Sequence, residues 1–174
     1  MSNAAATQPQ TTEYNPYYGK YLSLVPEGDV VDTLGRQIEE TLAFLRGLSE
    51  EQGDSRYAPD KWSVKEVVGH VLDSERIFGY RALRFARNDQ TALPGYEQDD
   101  YVRAGNFDKR QLSELADEFE HLRRANLFML RSLEEEAWLR RGLANDSEVS
   151  VRALAYIIAG HETHHMQIIR EKYL

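Results

Sequence analysis

Two histidines, His161 and His165, stand four residues apart near the C-terminal end, inside the run AYIIAGHETHHMQII at residues 155–169. On a helix this i, i+4 spacing stacks one imidazole above the other on a single face, which suits two ligands of one metal ion. A third histidine, His70, lies in the run KWSVKEVVGHVLDSERIFGYRALRFARND at residues 61–89, one helical step from an apolar face. Three neutral imidazoles from two facing helices hold a divalent ion with positions left open for water or substrate. The competing reading is three separate core histidines, each bonded to a neighbouring side chain or carbonyl. It demands three polar partners within one small core, since an unpartnered buried nitrogen costs about 1–3 kcal/mol. His164 falls about 100° around the helix from His165 and reads as supporting or exposed, while His121 belongs to a polar face.

Two carboxylates are candidates for catalytic work. Asp73 follows His70 by three residues, so its side chain can accept an imidazole N–H and fix the tautomer, although an exposed acid is an equal alternative. Glu162 lies inside HETHH, which satisfies the H-E-x-x-H pattern of zinc peptidases, where the glutamate activates water between two histidine ligands. That peptidase pattern calls for a third ligand downstream, yet only nine residues follow His165 and none is His or Asp. Glu171 is on the same helix and too far along it. Glu162 also sits about 100° off the His161 face. Arg76, Arg84 and Arg87 share one arc of the same helix as His70, with Arg81 nearer the core edge. They can meet an anionic substrate, though a solvated face is the simpler reading.

The absences narrow the chemistry further. The chain has no cysteine, so disulfides, thiolate ligands and a cysteine nucleophile are excluded. No Ser-His-acid grouping sits in a glycine-bounded turn and no glycine-rich phosphate cradle occurs, which leaves a metal ion as the source of nucleophilicity.

The elements that must position these residues are helical. Val31, Leu34, Ile38, Leu42, Leu45 and Leu48 recur every three or four positions from Asp29 and predict a first helix closing before Gly53. Ser63 and Glu66 form a capping box for a second helix reaching about Asn88. After an aperiodic connection at residues 89–107, an Asp108–Gln111 box opens a third helix, with Phe107 stapled to Leu112. Ser150 caps a fourth that carries His161 and His165. No convincing strand is seen, so the fold class is all-α, a four-helix bundle with helix content above about 60%. Residues 1–12 are small and polar and read as a disordered leader, leaving one domain at 13–174. Tyr14, Tyr17, Tyr18 and Tyr21 suggest an irregular segment that lays aromatic rings on a neighbouring surface.

With 41% apolar residues in 174, one sizeable core is possible, and the net charge of −8 disfavours nonspecific nucleic-acid or anionic-membrane binding. No apolar run approaches a membrane span and no secretory signal opens the chain, which suggests a cytoplasmic protein.

The runs at 61–89 and 155–169 resemble those of the DinB-like superfamily of four-helix metalloproteins, and the resemblance covers about residues 13–174. It implies that His70, His161 and His165 are the ligands of a divalent metal, zinc or nickel first, with iron, cobalt or manganese compatible. It also implies a bundle running up, down, down, up, for which a long second connection is suited, and a homodimer. Relatives of this kind include thiol-dependent transferases acting with bacillithiol or mycothiol, a thiol-dependent isomerase and the metal-binding domain of sulfoxide synthases. The implied function is therefore a metal-dependent S-transferase or hydrolase that activates a low-molecular-weight thiol or water against a small-molecule substrate entering past the 89–107 connection. Without an intrinsic cysteine, the thiol must come from a cosubstrate. The alternative from a different class is a noncatalytic metal-binding or small-molecule-binding bundle.

Overall fold

A computed structural model of the chain describes residues 4–174. In chain order its elements are α1 (Gly19–Leu22), α2 (Val30–Arg46), α3 (Glu50–Asp54), α4 (Val64–Ala86), α5 (Gln98–Gly105), α6 (Leu112–Arg131), α7 (Glu135–Leu139), β1 (Arg141–Ala144), β2 (Ser147–Ser150) and α8 (Val151–Lys172), with short 3-10 turns between. Helix of both kinds takes 68% of it. The four long helices start where side chains satisfy the orphan N–H groups of their first turns. Asp29 accepts from the Val31 N–H at 2.8 Å, and Ser63 and Glu66 cap each other's backbone. Ser150 Oγ accepts from the Ala153 N–H at 3.0 Å.

Side-chain pairs along these helices give their directions. Arg46 meets Asp117 while Arg124 meets Glu39, so α2 and α6 are antiparallel. Glu75 meets Arg123 and Gly79 faces Asn126, so α4 and α6 run the same way. Gln37 reaches the Ala159 carbonyl and Thr41 reaches Glu162, so α2 and α8 are also parallel. Tyr173 donates to the Trp62 carbonyl, and further along the pair Phe78 packs against His161, which makes α4 and α8 antiparallel. The order is up, down, down, up. Because α4 and α6 are parallel neighbours, the chain must return the length of the bundle between them.

Four sequence expectations are corrected in detail. The first helix stops at Arg46, where the Gly47 N–H closes back on Phe44 and Leu45, and Ser49 then caps the separate α3. The 89–107 connection is partly ordered by α5. The third helix is capped one turn later than expected, by a Gln111–Glu114 box, while Asp108 lies in a 3-10 turn. A hairpin of β1 and β2 also precedes α8. It is turned by Asn145 and Asp146, both at positive φ (50° and 56°), the combination a two-residue type I′ turn requires. The connection joins this hairpin: the Leu93 N–H donates to the Leu143 carbonyl and the Asn145 N–H donates to the Leu93 carbonyl.

The N-terminal segment is tied down as well. Ala4 and Ala5 are buried beside α7, and Glu13 is bound by Arg152 and Ser150. Small side chains let the leader, with its 3-10 turns at Ala4–Ala6 and Thr11–Glu13, lie close on the bundle, and the Glu13–Arg152 ion pair anchors it. For residues 1–3 the expected leader lies outside the described residues.

The core falls into two apolar clusters. One gathers Leu34, Phe78, Leu127 and Ile158 toward the hairpin end, and the other gathers Ile38, Leu72, Phe119 and Met166 toward the opposite end. A polar layer lies between them on all four long helices. Its centre is Arg123, fully buried, which donates to Glu75 at 2.7 and 2.8 Å and to Glu162 at 2.7 Å. Thr41 donates to the other Glu162 oxygen at 2.6 Å, so one guanidinium and its partners join α2, α4, α6 and α8.

Candidate metal centre

The same polar layer carries the three histidines. His70 comes from α4, and His161 and His165 from α8, whose single turn of separation places both on the side facing α4. The Nε2 atoms of His70 and His165 each lie 3.1 Å from the Nε2 of His161, and the three ligand atoms are all within 4.8 Å of one another. His70 and His161 are buried and His165 is half-buried.

This donor set fits a metal ion better than it fits hydrogen bonding. A neutral imidazole nitrogen either donates one proton or accepts through one lone pair, so the His161 Nε2 cannot form good bonds to both neighbours at once. Ligands about 2.0–2.1 Å from a tetrahedral ion lie about 3.3–3.4 Å apart, close to the separations seen. Burial drives all three rings toward the neutral form that ligation needs. It pushes His70 down to about 4 and His165, with help from His70, to about 2, and it holds His161 well below its usual range.

Aromatic rings fix the imidazoles in place. Trp62 packs on His70 at 5.0 Å between centroids, and Tyr21 meets both His161 (5.2 Å) and His164 (5.3 Å) edge-on. Tyr21 reaches them because α1 lies directly against α8 at Gly160, where a Cβ would fall 2.0 Å from the Tyr21 carbonyl oxygen. The tyrosine segment thus packs on the chain's own site: Tyr18 covers Phe78 and Tyr21 is buried, which leaves Tyr17 exposed.

His70 and His161 open onto a cavity of about 390 Å³ whose wall also includes Tyr18, Tyr21, Arg81 and Tyr96. Tyr96 comes from the long connection and is held by a 2.8 Å hydrogen bond to Ser74. Its place there could not be read from a segment without periodicity.

Neither carboxylate candidate lines this cavity. Asp73 is half-buried, its carboxyl pushed up by burial against the opposing pull of Arg76, 3.9 Å away. Glu162 faces into the bundle, bound by Arg123 and Thr41, on the side of α8 away from the imidazoles. Burial raises its pKa and Arg123 opposes the rise. His164 is half-buried beside Tyr21, and His121 is exposed near the Asp117 carbonyl. Arg76 and Arg84 sit in surface ion pairs with Glu118 and Asp89.

A four-helix bundle running up, down, down, up, with three convergent histidines on two of its helices, defines a structural class with room for one ion at mid-height. The chain belongs to the DinB superfamily, whose family model matches residues 33–169. Its fold is similar to that of YfiT from Bacillus subtilis, described as a probable metal-dependent hydrolase with an unusual four-helix bundle topology. The two share 16% sequence identity with a TM-score of 0.71, over 98% of this chain and 95% of that one. No curated protein matches by sequence. Among the described residues, no helix is long and apolar enough to cross a membrane.

Proposed function

We propose that the protein is a metal-dependent enzyme in which His70, His161 and His165 hold one divalent ion and a small thiol or water is activated for attack on an electrophile. The observation that carries this reading is the convergence of three neutral imidazoles, two of which, His70 and His161, line a cavity large enough for a small molecule. A divalent ion in such a site supplies Lewis acidity and lowers the pKa of the nucleophile that joins it. Three neutral ligands leave the ion's full positive charge available for that purpose.

The protein's own residues do the rest. Tyr21 and Trp62 pack on the imidazoles and hold them in place, and Tyr18, Phe78 and Tyr96 line one wall of the cavity beside them. Thiol transfer is the easier reaction, since a thiol begins near pKa ~8.5 and ionises far more readily than water. The description of YfiT supports hydrolysis as the other outcome of the same site. The engagement of Glu162 by Arg123 argues against the peptidase reading, because its carboxylate does not face the cavity.

The test has two stages. Elemental analysis of protein purified without chelators or nickel resin should give one equivalent of metal per chain, and His161→Ala or His165→Ala should remove most of it. The loaded protein is then assayed with a panel of low-molecular-weight thiols and electrophiles, and with activated esters. Wild-type stoichiometry in both alanine variants overturns the site, and rates unaffected by His161→Ala overturn the enzyme reading.

A further inference from the structure

Three arginines are buried among the described residues: Arg81, Arg123 and Arg152. Two have carboxylate partners, Arg123 in Glu75 and Glu162 and Arg152 in Glu13. Arg81 has none. It is 4% exposed, and among the described residues no aspartate or glutamate oxygen lies within ion-pair distance of it. Its guanidinium donates to the Pro94 carbonyl at 2.7 Å and lies within reach of the Tyr18 hydroxyl. Both partners are neutral, which leaves the charge itself uncompensated. A buried cation is kept out of water at a cost of several kcal/mol unless an anion joins it.

The place where an anion can join is the cavity beside the metal centre, because Arg81 lines it together with His70 and His161. Arg81 follows His70 by three turns of α4, so both lie on one face, and the long arginine side chain leans back toward the helix N-terminus. Phe78 neighbours both Arg81 and His161. Its ring centroid is 6.0 Å from that of His161, and the Arg81 Cζ is 5.8 Å from the same ring. All of them line one cavity, so a small molecule lying on Phe78 can reach both ends.

We infer that Arg81 is the specificity-determining residue of this cavity and that the substrate is a small molecule with an apolar body and a single carboxylate, bound by the Arg81 guanidinium with its reacting end at the histidines. The inference rests on the proposed metal-site reading for where the reacting end goes, and on Arg81 alone for the carboxylate. A planar guanidinium with unused donors matches the two oxygens of a carboxylate. The aromatic wall of Tyr18, Tyr21, Phe78 and Tyr96 accommodates the apolar body. Glu97 and Asp99, exposed at the cavity mouth, repel a second anionic group and so select a monoanion over a dianion.

The experiment uses benzoate as probe, benzamide as its neutral counterpart and inorganic phosphate as the other anion. Each is titrated by calorimetry into the full chain, zinc-loaded and chelated, for wild type, Arg81→Met and Arg81→Lys. Benzoate should bind wild type saturably and about 10- to 100-fold more weakly in Arg81→Met, the loss expected for charge-assisted bonds. Arg81→Lys should fall between, because it keeps the charge and loses the fork. Benzamide binding should be unchanged by either substitution. Zinc stoichiometry and helical dichroism of the variants are measured alongside. If Arg81→Met does not fold, the loss in Arg81→Lys decides. Equal benzoate affinity in wild type and variants, no saturable benzoate binding, or phosphate binding as tight as benzoate overturns the inference. If no variant or wild type binds zinc, the metal reading fails and the chelated titrations still decide the role of Arg81.

Discussion

Replacing Arg123 by Met tests the polar layer that aligns the site. The substitution removes a guanidinium with no solvent exposure and four hydrogen bonds, three to carboxylate oxygens and one, at 3.3 Å, to the Leu34 carbonyl. Glu75 and Glu162, 2% and 1% exposed, are then left as two buried carboxylates without a cation. Breaking a buried pair in this way costs about 3–5 kcal/mol, a large part of the roughly 5–15 kcal/mol by which domains are stable. At about 2–4 °C per kcal/mol for a chain of this length, the melting temperature should drop by about 6–20 °C. Thermal unfolding followed by far-ultraviolet circular dichroism at pH 7 measures it directly. The triple variant Arg123→Met, Glu75→Gln, Glu162→Gln should recover much of the loss, because no buried charge remains. A melting temperature for Arg123→Met within about 2 °C of wild type would refute the argument that this guanidinium compensates the two acids.

Three further outcomes follow from the packing and the charges. Gly160→Ala should push α1 off α8, since the new Cβ would fall 2.0 Å from backbone oxygen, and overpacking of that kind costs about 1–3 kcal/mol; thermal melts and zinc titration should show lower stability and weaker binding together. Chelation of the metal should lower the melting temperature but leave the helical dichroism intact, because the two apolar clusters form a core without it. Glu13 is pushed up by burial, yet bonds from Arg152, the Gln10 N–H and Ser150 bring it down to about 2 from 4.5. The unfolded chain therefore binds more protons between those values, so the contribution of Glu13 is whole above pH 4.5 and fades as the pH falls toward 2. Comparing melting temperatures of wild type and Glu13→Gln from pH 7 to pH 3, the gap should narrow on acidification, and a constant gap would count against the ion pair.

Much of the frame was legible in the sequence because its signals are local. The 3.6-residue periodicity marks the four long helices, and the Ser63 and Ser150 caps sit at their starts because a side chain two or three residues from an orphan N–H can reach it. The His161–His165 spacing needs one turn of helix and nothing else. Other local signals were present but weak: Asn145–Asp146 marks a two-residue turn, yet four-residue strands on either side carry too little alternation to stand out. Gly47 ends α2 although the apolar pattern continues through Leu48, since Leu48 packs on the same cluster from outside the helix.

What only the tertiary structure decided are the relations between residues far apart in the chain. His70 meets His161 across 91 positions because α4 and α8 are antiparallel in one particular register. Neither helix's own pattern specifies that register. It is set by groups such as Arg123, which in the sequence is simply one of two adjacent arginines on an amphipathic helix. Whether such a charge is buried depends on the acids that other helices bring to it, here Glu75 and Glu162. The same holds in reverse for Arg81: its neighbours in sequence cannot show that no acid reaches it, nor that Tyr21 and Tyr96, from segments without periodicity, close a cavity around it. Periodicity fixes which face of a helix is apolar, because that depends on the chain's local geometry. Which polar groups that face finally confronts is settled by packing, since only packing brings the partners of a buried charge within hydrogen-bond distance.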